Sequence, residues 1–201
     1  PVVGDIRDNR TVKEVIQAHS IQSIYHAAAY KHVPMMESHV LEAVRNNVIG
    51  TWNLVKAAQK YRVANFLMIS SDKAVNPTSV MGVTKRIAEL IVSDAFHGHD
   101  NGTKFVSVRF GNVLGSNGSV VPTFQAQIAA GGPVTVTHPE MRRYFMSIRE
   151  AVQLVLQAST MGKGSEIFVL DMGDPVRILD LAHNMIQLAR LVPDEDIEVR
   201  I

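Results

Sequence analysis

The chain contains no cysteine, which excludes disulfides and thiolate metal sites. The same absence is compatible with a reducing cytoplasm, and a cytoplasmic protein is the expectation. No apolar run reaches the ~18 residues that a membrane helix needs, and there is no secretory signal pattern. The expected behaviour is therefore that of a soluble unit, or of the cytoplasmic domain of a longer parent with membrane segments elsewhere. Long runs of one charge are missing too. Lys and Arg number 20 against 19 Asp and Glu, a formal net charge of +1. That balance leaves no footprint for nucleic acid and reads as a solvated surface. There is no internal repeat and no low-complexity segment. Also missing is a Gly-rich turn between a strand and a helix, the usual cradle for a pyrophosphate. Gly115, Gly118 and the Gly131-Gly132 pair fall late and outside that context.

What is present is an ordinary globular balance, 46% hydrophobic and 19% charged over 201 residues, enough for one domain or one domain with a small appendage. Short apolar runs alternate with longer amphipathic ones. Residues 2–6 read as the end of a strand, and 21–29, 65–70, 105–110 and 166–170 as strands. Helices are expected over 11–19, 41–61, 84–96, 121–130, 149–160 and 178–191. Such alternation predicts an α/β fold, a doubly wound parallel sheet with helices on both faces. The stretch 115–143 is looser and is the expected place for a substrate lobe, with the C-terminal part. Ligands of open parallel sheets sit beyond the carboxyl ends of the strands. That draws attention to Asp5, Ile6, Ala27, Ala28, Ala29, Ser70, Ser71, Asp72, Lys73 and the residues from Gly111 onward.

The sharpest local signal is Ser70-Ser71-Asp72-Lys73 followed by Met81-Gly82-Val83-Thr84-Lys85. The first places a hydroxyl, a carboxylate and an amine at one strand tip. The second puts Lys85 one turn after Met81 at a helix start. These groups would suit proton transfers beside a ligand; a strand–turn–helix with surface charges and a capping Ser is the plain alternative. His26 and His32 lack clustered acidic or thiolate partners, so no metal site is expected. Met35-Met36 reads as core or interface.

Five ordered segments resemble one family. Ile69-Ser70-Ser71-Asp72-Lys73-Ala74-Val75-Asn76-Pro77-Thr78 and Met81-Gly82-Val83-Thr84-Lys85 resemble the active-site stretch of the polysaccharide-biosynthesis group of UDP-N-acetylglucosamine 4,6-dehydratases. These are extended short-chain dehydrogenases/reductases with an NAD-binding Rossmann-type fold. His26-Ala27-Ala28-Ala29-Tyr30-Lys31-His32-Val33-Pro34, Asn47-Val48-Ile49-Gly50-Thr51 and Arg109-Phe110-Gly111-Asn112-Val113-Leu114-Gly115 match the same group in the same order. The resemblance implies a bound NAD used as a recycled hydride carrier: oxidation at C4 of a UDP-sugar, loss of water across C5 and C6, and hydride return to C6. It assigns Asp72 as proton donor to the C6 hydroxyl, Lys73 as base at C5 and Ser71 as the hydroxyl that polarises the C4 oxygen. Lys85 takes the place of the nicotinamide-ribose lysine. Met81 stands where most relatives have Tyr, and a thioether cannot accept a proton; either Asp72 or a relayed water serves as base at C4, or catalysis is impaired. Asp5 and Ile6 match the adenine contacts, though Asp5 also reads as a strand-end cap. Ala27, Ala28 and Ala29 would let the dinucleotide approach the backbone, or pack tightly under a helix. Lys31, Asn47 and Ser70 complete the implied cofactor set, with Asn47 also readable as a buried structural group. Asn112, Ser116 and Ser119 fall where the family binds sugar and uridine diphosphate, and Arg142 and Arg143 suit a diphosphate.

The family's domain opens with strands and a Gly-rich loop that this chain does not show, so the chain by itself is expected to bind NAD poorly and turn over little. The strand at 21–29 is expected at an exposed sheet edge that invites association. Residues 31–61 and 78–96 resemble the helices of a four-helix homo-oligomer interface. Two other readings stay open: a nucleotide-sugar epimerase working through the same 4-keto species, and a non-catalytic nucleotide-sugar-binding or assembly subunit.

Overall fold

The computed structural model describes residues 1–97, 102–116 and 118–201. The first half of the chain forms helix α1 (Asn9–Ala18), strand β1 (Ser23–His26), helices α2 (Val33–Ser38) and α3 (Val40–Ala43), a π-helical segment (Val44–Gly50), α4 (Thr51–Lys60), β2 (Asn65–Ile69), a 3-10 turn (Asp72–Ala74), α5 (Val80–His97) and β3 (Lys104–Arg109). Then come β4 (Asn112–Val113), α6 (Val120–Ala129), β5 (Val134–Thr135), β6 (Arg142–Arg143), β7 (Phe145–Met146), α7 (Ile148–Met161), β8 (Ile167–Val169), β9 (Val176–Arg177), α8 (Ile178–Leu188) and β10 (Val199–Arg200). The chain divides into two compact units, residues 1–110 with 153–170, and residues 111–152 with 171–201.

The first unit is built on a parallel sheet in the order β1-β2-β3-β8. Parallel neighbours need crossovers, and helices supply them. Period-two alternation sends Phe66 and Met68 to one face, where they join Val55, Val63, Val92 and Phe105 in the main apolar core. The Phe66 and Phe105 rings lie 5.4 Å apart on adjacent strands. Helix α1 packs on α4, α4 on α5, and α5 on β3. The second unit has a separate core of Phe124, Val134, Val136, Ile178, Ala182, Ile186 and Ile197. Its strands form only short pairs: β4 with β7, β5 with β10 and β6 with β9.

The expected α/β architecture is observed, with differences in detail. Residues 2–6 form no strand; a strand exists through its ladder, and no described residue pairs with them. Strand β1 is shorter than expected because its pairing with β2 ends at His26. It sits at the edge of the sheet, as the sequence predicts. The helix expected over 41–61 runs without a break but widens to π geometry in its first half, over Val44–Gly50. Gly50 allows this segment to lie against Ile6, whose Cδ1 would be only 2.6 Å from a Cβ at that position. Residues 31–61 are not one helix, since His39 breaks it at φ −129°, ψ 53°.

Candidate functional site

The end of β1 is tied to the helices by a buried hydrogen-bond chain. His26 Nε2 lies 2.8 Å from Thr51 Oγ1, and that hydroxyl donates to the Asn47 carbonyl at 2.7 Å. The Thr51 proton is thus committed, so the imidazole carries its hydrogen on Nε2 and donates. Burial, and then the Lys85 charge, push His26 down to about 3 from 6.5. The unfolded chain therefore takes up this proton first as pH falls below 6.5, and stability drops by ~1.4 kcal/mol per pH unit until the folded ring titrates. His26→Gln, which keeps a donor for Thr51, is expected to remove that slope. Urea unfolding at pH 7 and pH 5 should show the parent losing ~2 kcal/mol more than the variant; equal losses would refute the assignment.

Asn47 is a saturated clamp. Its Oδ1 accepts from the Tyr30 amide at 2.8 Å and from Asn46 at 3.1 Å; its Nδ2 donates to the Tyr30 carbonyl at 3.0 Å and to Thr84 Oγ1 at 3.0 Å. Both lone pairs and both N–H groups are used. It therefore positions the loop after β1 against the residue before Lys85. Ala27 and Ala28 are exposed beyond the strand end and are not packed under a helix. Lys31 is exposed as well.

At the end of β2, Ser71 caps the 3-10 turn by accepting from the Lys73 amide at 3.2 Å. Its hydroxyl donates to Asp72 Oδ1 at 3.0 Å, and Lys73 Nζ donates to the same oxygen at 3.0 Å. Hydroxyl, carboxylate and amine thus converge on one atom at the strand tip. Lys85 approaches from α5 and donates to the Ile69 carbonyl at 2.6 Å. It is buried, and burial lowers its pKa to about 8, with Glu89 pulling the other way. Gly82 lets α5 reach the turn, because a Cβ there would run into the Lys73 carbonyl oxygen.

Several expected groups are placed otherwise. Met81 is buried in an apolar cluster with Met36 and Ala43, which offers a proton nowhere to go and makes it a packing residue. The Ser70 hydroxyl turns inward and donates to Glu89 at 2.6 Å, which commits its proton. Asp5 acts chiefly as a cap, accepting from the Arg7 amide at 2.8 Å and pairing with the Arg7 guanidinium at 2.6 Å. Those hydrogen bonds hold its carboxyl below the usual range. Ile6 packs on Gly50. In the second unit, Asn112 lies in β4, paired with β7. The Ser119 amide donates to the Ser116 carbonyl at 3.0 Å, and Ser119 Oγ is buried with no hydrogen-bond partner among the described residues. Arg142 and Arg143 are exposed on β6.

Sequence reasoning missed Glu89, Arg109 and Arg86. Glu89 is fully buried and accepts from Arg109, Arg86 and Ser70. Burial alone would raise its pKa, but those bonds outweigh it and the net direction is down. The spacing of Lys85, Arg86 and Glu89 on one helix was the available signal. Among the described residues, no group of three or more His, Asp or Glu side chains could hold a metal, and no helix is long and apolar enough to cross a membrane.

The capsular polysaccharide biosynthesis protein CapD of Staphylococcus aureus is 55% identical over 189 residues, which cover 94% of this chain and 31% of CapD. Pen from Bacillus thuringiensis, a solved structure, is 37% identical with a TM-score of 0.92, covering 99% of this chain and 61% of that one. The dTDP-glucose 4,6-dehydratase DesIV of Streptomyces venezuelae, solved with NAD and TYD bound, shares the fold at a TM-score of 0.87 and 18% identity, over 98% of this chain and 65% of that one. This chain thus spans about a third of the length of CapD. The family model for polysaccharide biosynthesis proteins matches residues 1–201, and the chain belongs to that family.

Proposed function

We propose that this chain is the core of an NAD-dependent nucleotide-sugar 4,6-dehydratase acting on a UDP-N-acetylhexosamine. The observation that carries the reading is the Asp72–Lys73 pair, 3.0 Å apart and sharing Oδ1 with the Ser71 hydroxyl at the carboxyl end of a parallel strand. NAD, when bound, would take a hydride from C4 and return it to C6, while the C4 hydroxyl proton would pass to Asp72 or to a relayed water. The exposed Ala27 and Ala28 leave the backbone after β1 accessible, and Lys85 spends one of its three N–H donors on Ile69. Those features fit a dinucleotide. Elimination across C5 and C6 needs one proton removed and one supplied. Passing a single proton along the Lys73–Asp72 contact produces a neutral amine to act as base and a carboxylic acid to act as donor. Ser71 would polarise the C4 oxygen. Asn112, Ser116, Ser119, Arg142 and Arg143 are the proposed sugar-nucleotide contacts within the second unit.

The test is product analysis. The full-length protein is incubated with UDP-N-acetylglucosamine in deuterated water and the product read by NMR. A 4-keto-6-deoxy sugar with deuterium at C5 supports the reading. A C5 or C4 epimer without loss of water would replace it with an epimerase. Tight sugar-nucleotide binding without product would point to an assembly role.

Oligomerisation belongs to the same reading. Ile49 and Trp52 on one helical run, and Val83, Ile87 and Leu90 on α5, each leave more than a third of their surface in water. Their i, i+3 and i+4 spacing makes apolar stripes of the kind that pack between subunits. Trp52→Glu with Leu90→Glu is expected to weaken self-association ~100-fold or more with unchanged circular dichroism. Sedimentation across a concentration series would read it, and an unchanged dissociation constant would move the interface elsewhere.

A further inference from the structure

One buried charge is left without a task by the site just described. Glu89 is fully buried; its Oε1 accepts from Ser70 Oγ at 2.6 Å and Arg109 Nε at 2.7 Å, and its Oε2 from Arg109 Nη2 at 2.6 Å and Arg86 Nη1 at 2.9 Å. A carboxylate and guanidinium withdrawn from water are costly, and an apolar side chain fills such a volume at least as well. The geometry gives the charge a use. Lys85 lies one turn earlier on the same helix and binds the carbonyl of Ile69, while Glu89 binds the side chain of Ser70. Consecutive residues at the end of β2, directly ahead of Ser71, Asp72 and Lys73, are therefore held to α5 by consecutive turns of that helix. Arg109 brings the end of β3 into the same knot.

We propose that Glu89 is a positioning residue of this site: braced by Arg109, it fixes the end of β2 against α5 and presents its negative charge to the Lys85 ammonium. The proposal rests on the reading of Lys85 and residues 71–73 as the working groups. The ionisable neighbours of Lys85 support it. His26 on β1 is kept neutral. Asp72 and Lys73 are paired with each other, and Arg86 and Arg109 with Glu89 itself. On the helices packed against α5, Glu37 caps the Val80 amide, Glu42 is paired with Arg7 and Arg45, and Lys56 lies over Trp52. Among these groups Glu89, one turn along the same helix, is the carboxylate whose charge favours the Lys85 ammonium against burial.

The experiment titrates Lys85 in the full-length protein carrying 13Cε-lysine, its signal identified by loss in Lys85→Arg. In Glu89→Gln the midpoint is expected to fall by on the order of one pH unit, because an opposite charge is lost and two guanidiniums are left uncompensated. Glu89→Asp keeps the charge and should stay near the parent. If Glu89→Gln does not fold, Arg86→Gln is read instead; it removes a cation from the half-exposed rim of the knot and must raise the midpoint. An unmoved midpoint in folded Glu89→Gln, or in Arg86→Gln where that stands in for it, overturns the proposal and leaves Glu89 a structural group. No substrate enters this measurement. A parent protein that makes no dehydrated sugar would therefore sink the dehydratase reading without deciding this one.

Discussion

Lys73→Met is expected to cut turnover on the order of a thousandfold while leaving sugar-nucleotide affinity within a few fold, since positioned proton transfer contributes ~10²–10⁴ to rate. Methionine keeps the length of the stem and loses the amine, so the C5 proton has no acceptor. Asp72→Asn is expected to lose a similar amount for the opposite reason. Its amide oxygen can still accept from Ser71 and Lys73, both 3.0 Å from Asp72 Oδ1, but it has no proton to deliver to the leaving hydroxyl. Exchange at C5 tests the link between the two roles. In deuterated water, unreacted sugar should gain no deuterium at C5 with Lys73→Met and little with Asp72→Asn, whose amide cannot take the proton that Lys73 must lose. The double variant should be little worse than either single one, because residues that act as a unit are not additive. Additive losses, or deuterium uptake surviving Lys73→Met, would show that the 3.0 Å pair is only an ion pair on a half-exposed turn.

How much of this was legible in the residues depended on the kind of order involved. Short continuous apolar runs located β2 and β3, which are buried on both faces, and helical spacing located α5, each to within a few residues. The strand expected over 2–6 did not form, since pairing is a property of two segments and local pattern reports only one. The π-helical turn at Val44–Gly50 was invisible as well. It depends on Asn47 reaching Tyr30 and on Gly50 meeting Ile6 across the fold, and neither contact leaves a periodic trace. Ser71, Asp72 and Lys73 were readable because their chemistry is contiguous in sequence. Glu89 was not, because a glutamate within a helix ordinarily faces water; only its distant partner Arg109 shows that it does not. Met81 was singled out for the hydroxyl it lacks, and the fold gives it a plain packing role beside Met36.

Gly82→Ala is the sharpest test of how the site is held. Within a helix this exchange normally stabilises by ~1 kcal/mol, since alanine loses less backbone entropy. Here the new methyl would meet the backbone carbonyl of Lys73 and come within 3.1 Å of Pro77 Cβ. A carbonyl on a capped 3-10 turn cannot swing aside as a flexible side chain can. Overpacking of this kind costs ~1–3 kcal/mol, so it outweighs the propensity gain and the net effect is destabilising. The larger consequence falls on turnover. Relief of the clash must move either the start of α5, which carries Lys85, or the turn that carries Asp72 and Lys73. A displacement near 1 Å in a working site costs ~10²-fold in rate. The expected result is therefore a folded protein with a modestly lower unfolding midpoint and turnover reduced about a hundredfold. Denaturant unfolding and the deuterium-incorporation assay read the two effects separately. Wild-type turnover in Gly82→Ala would mean that the spacing between α5 and the Asp72–Lys73 turn is not what the chemistry depends on.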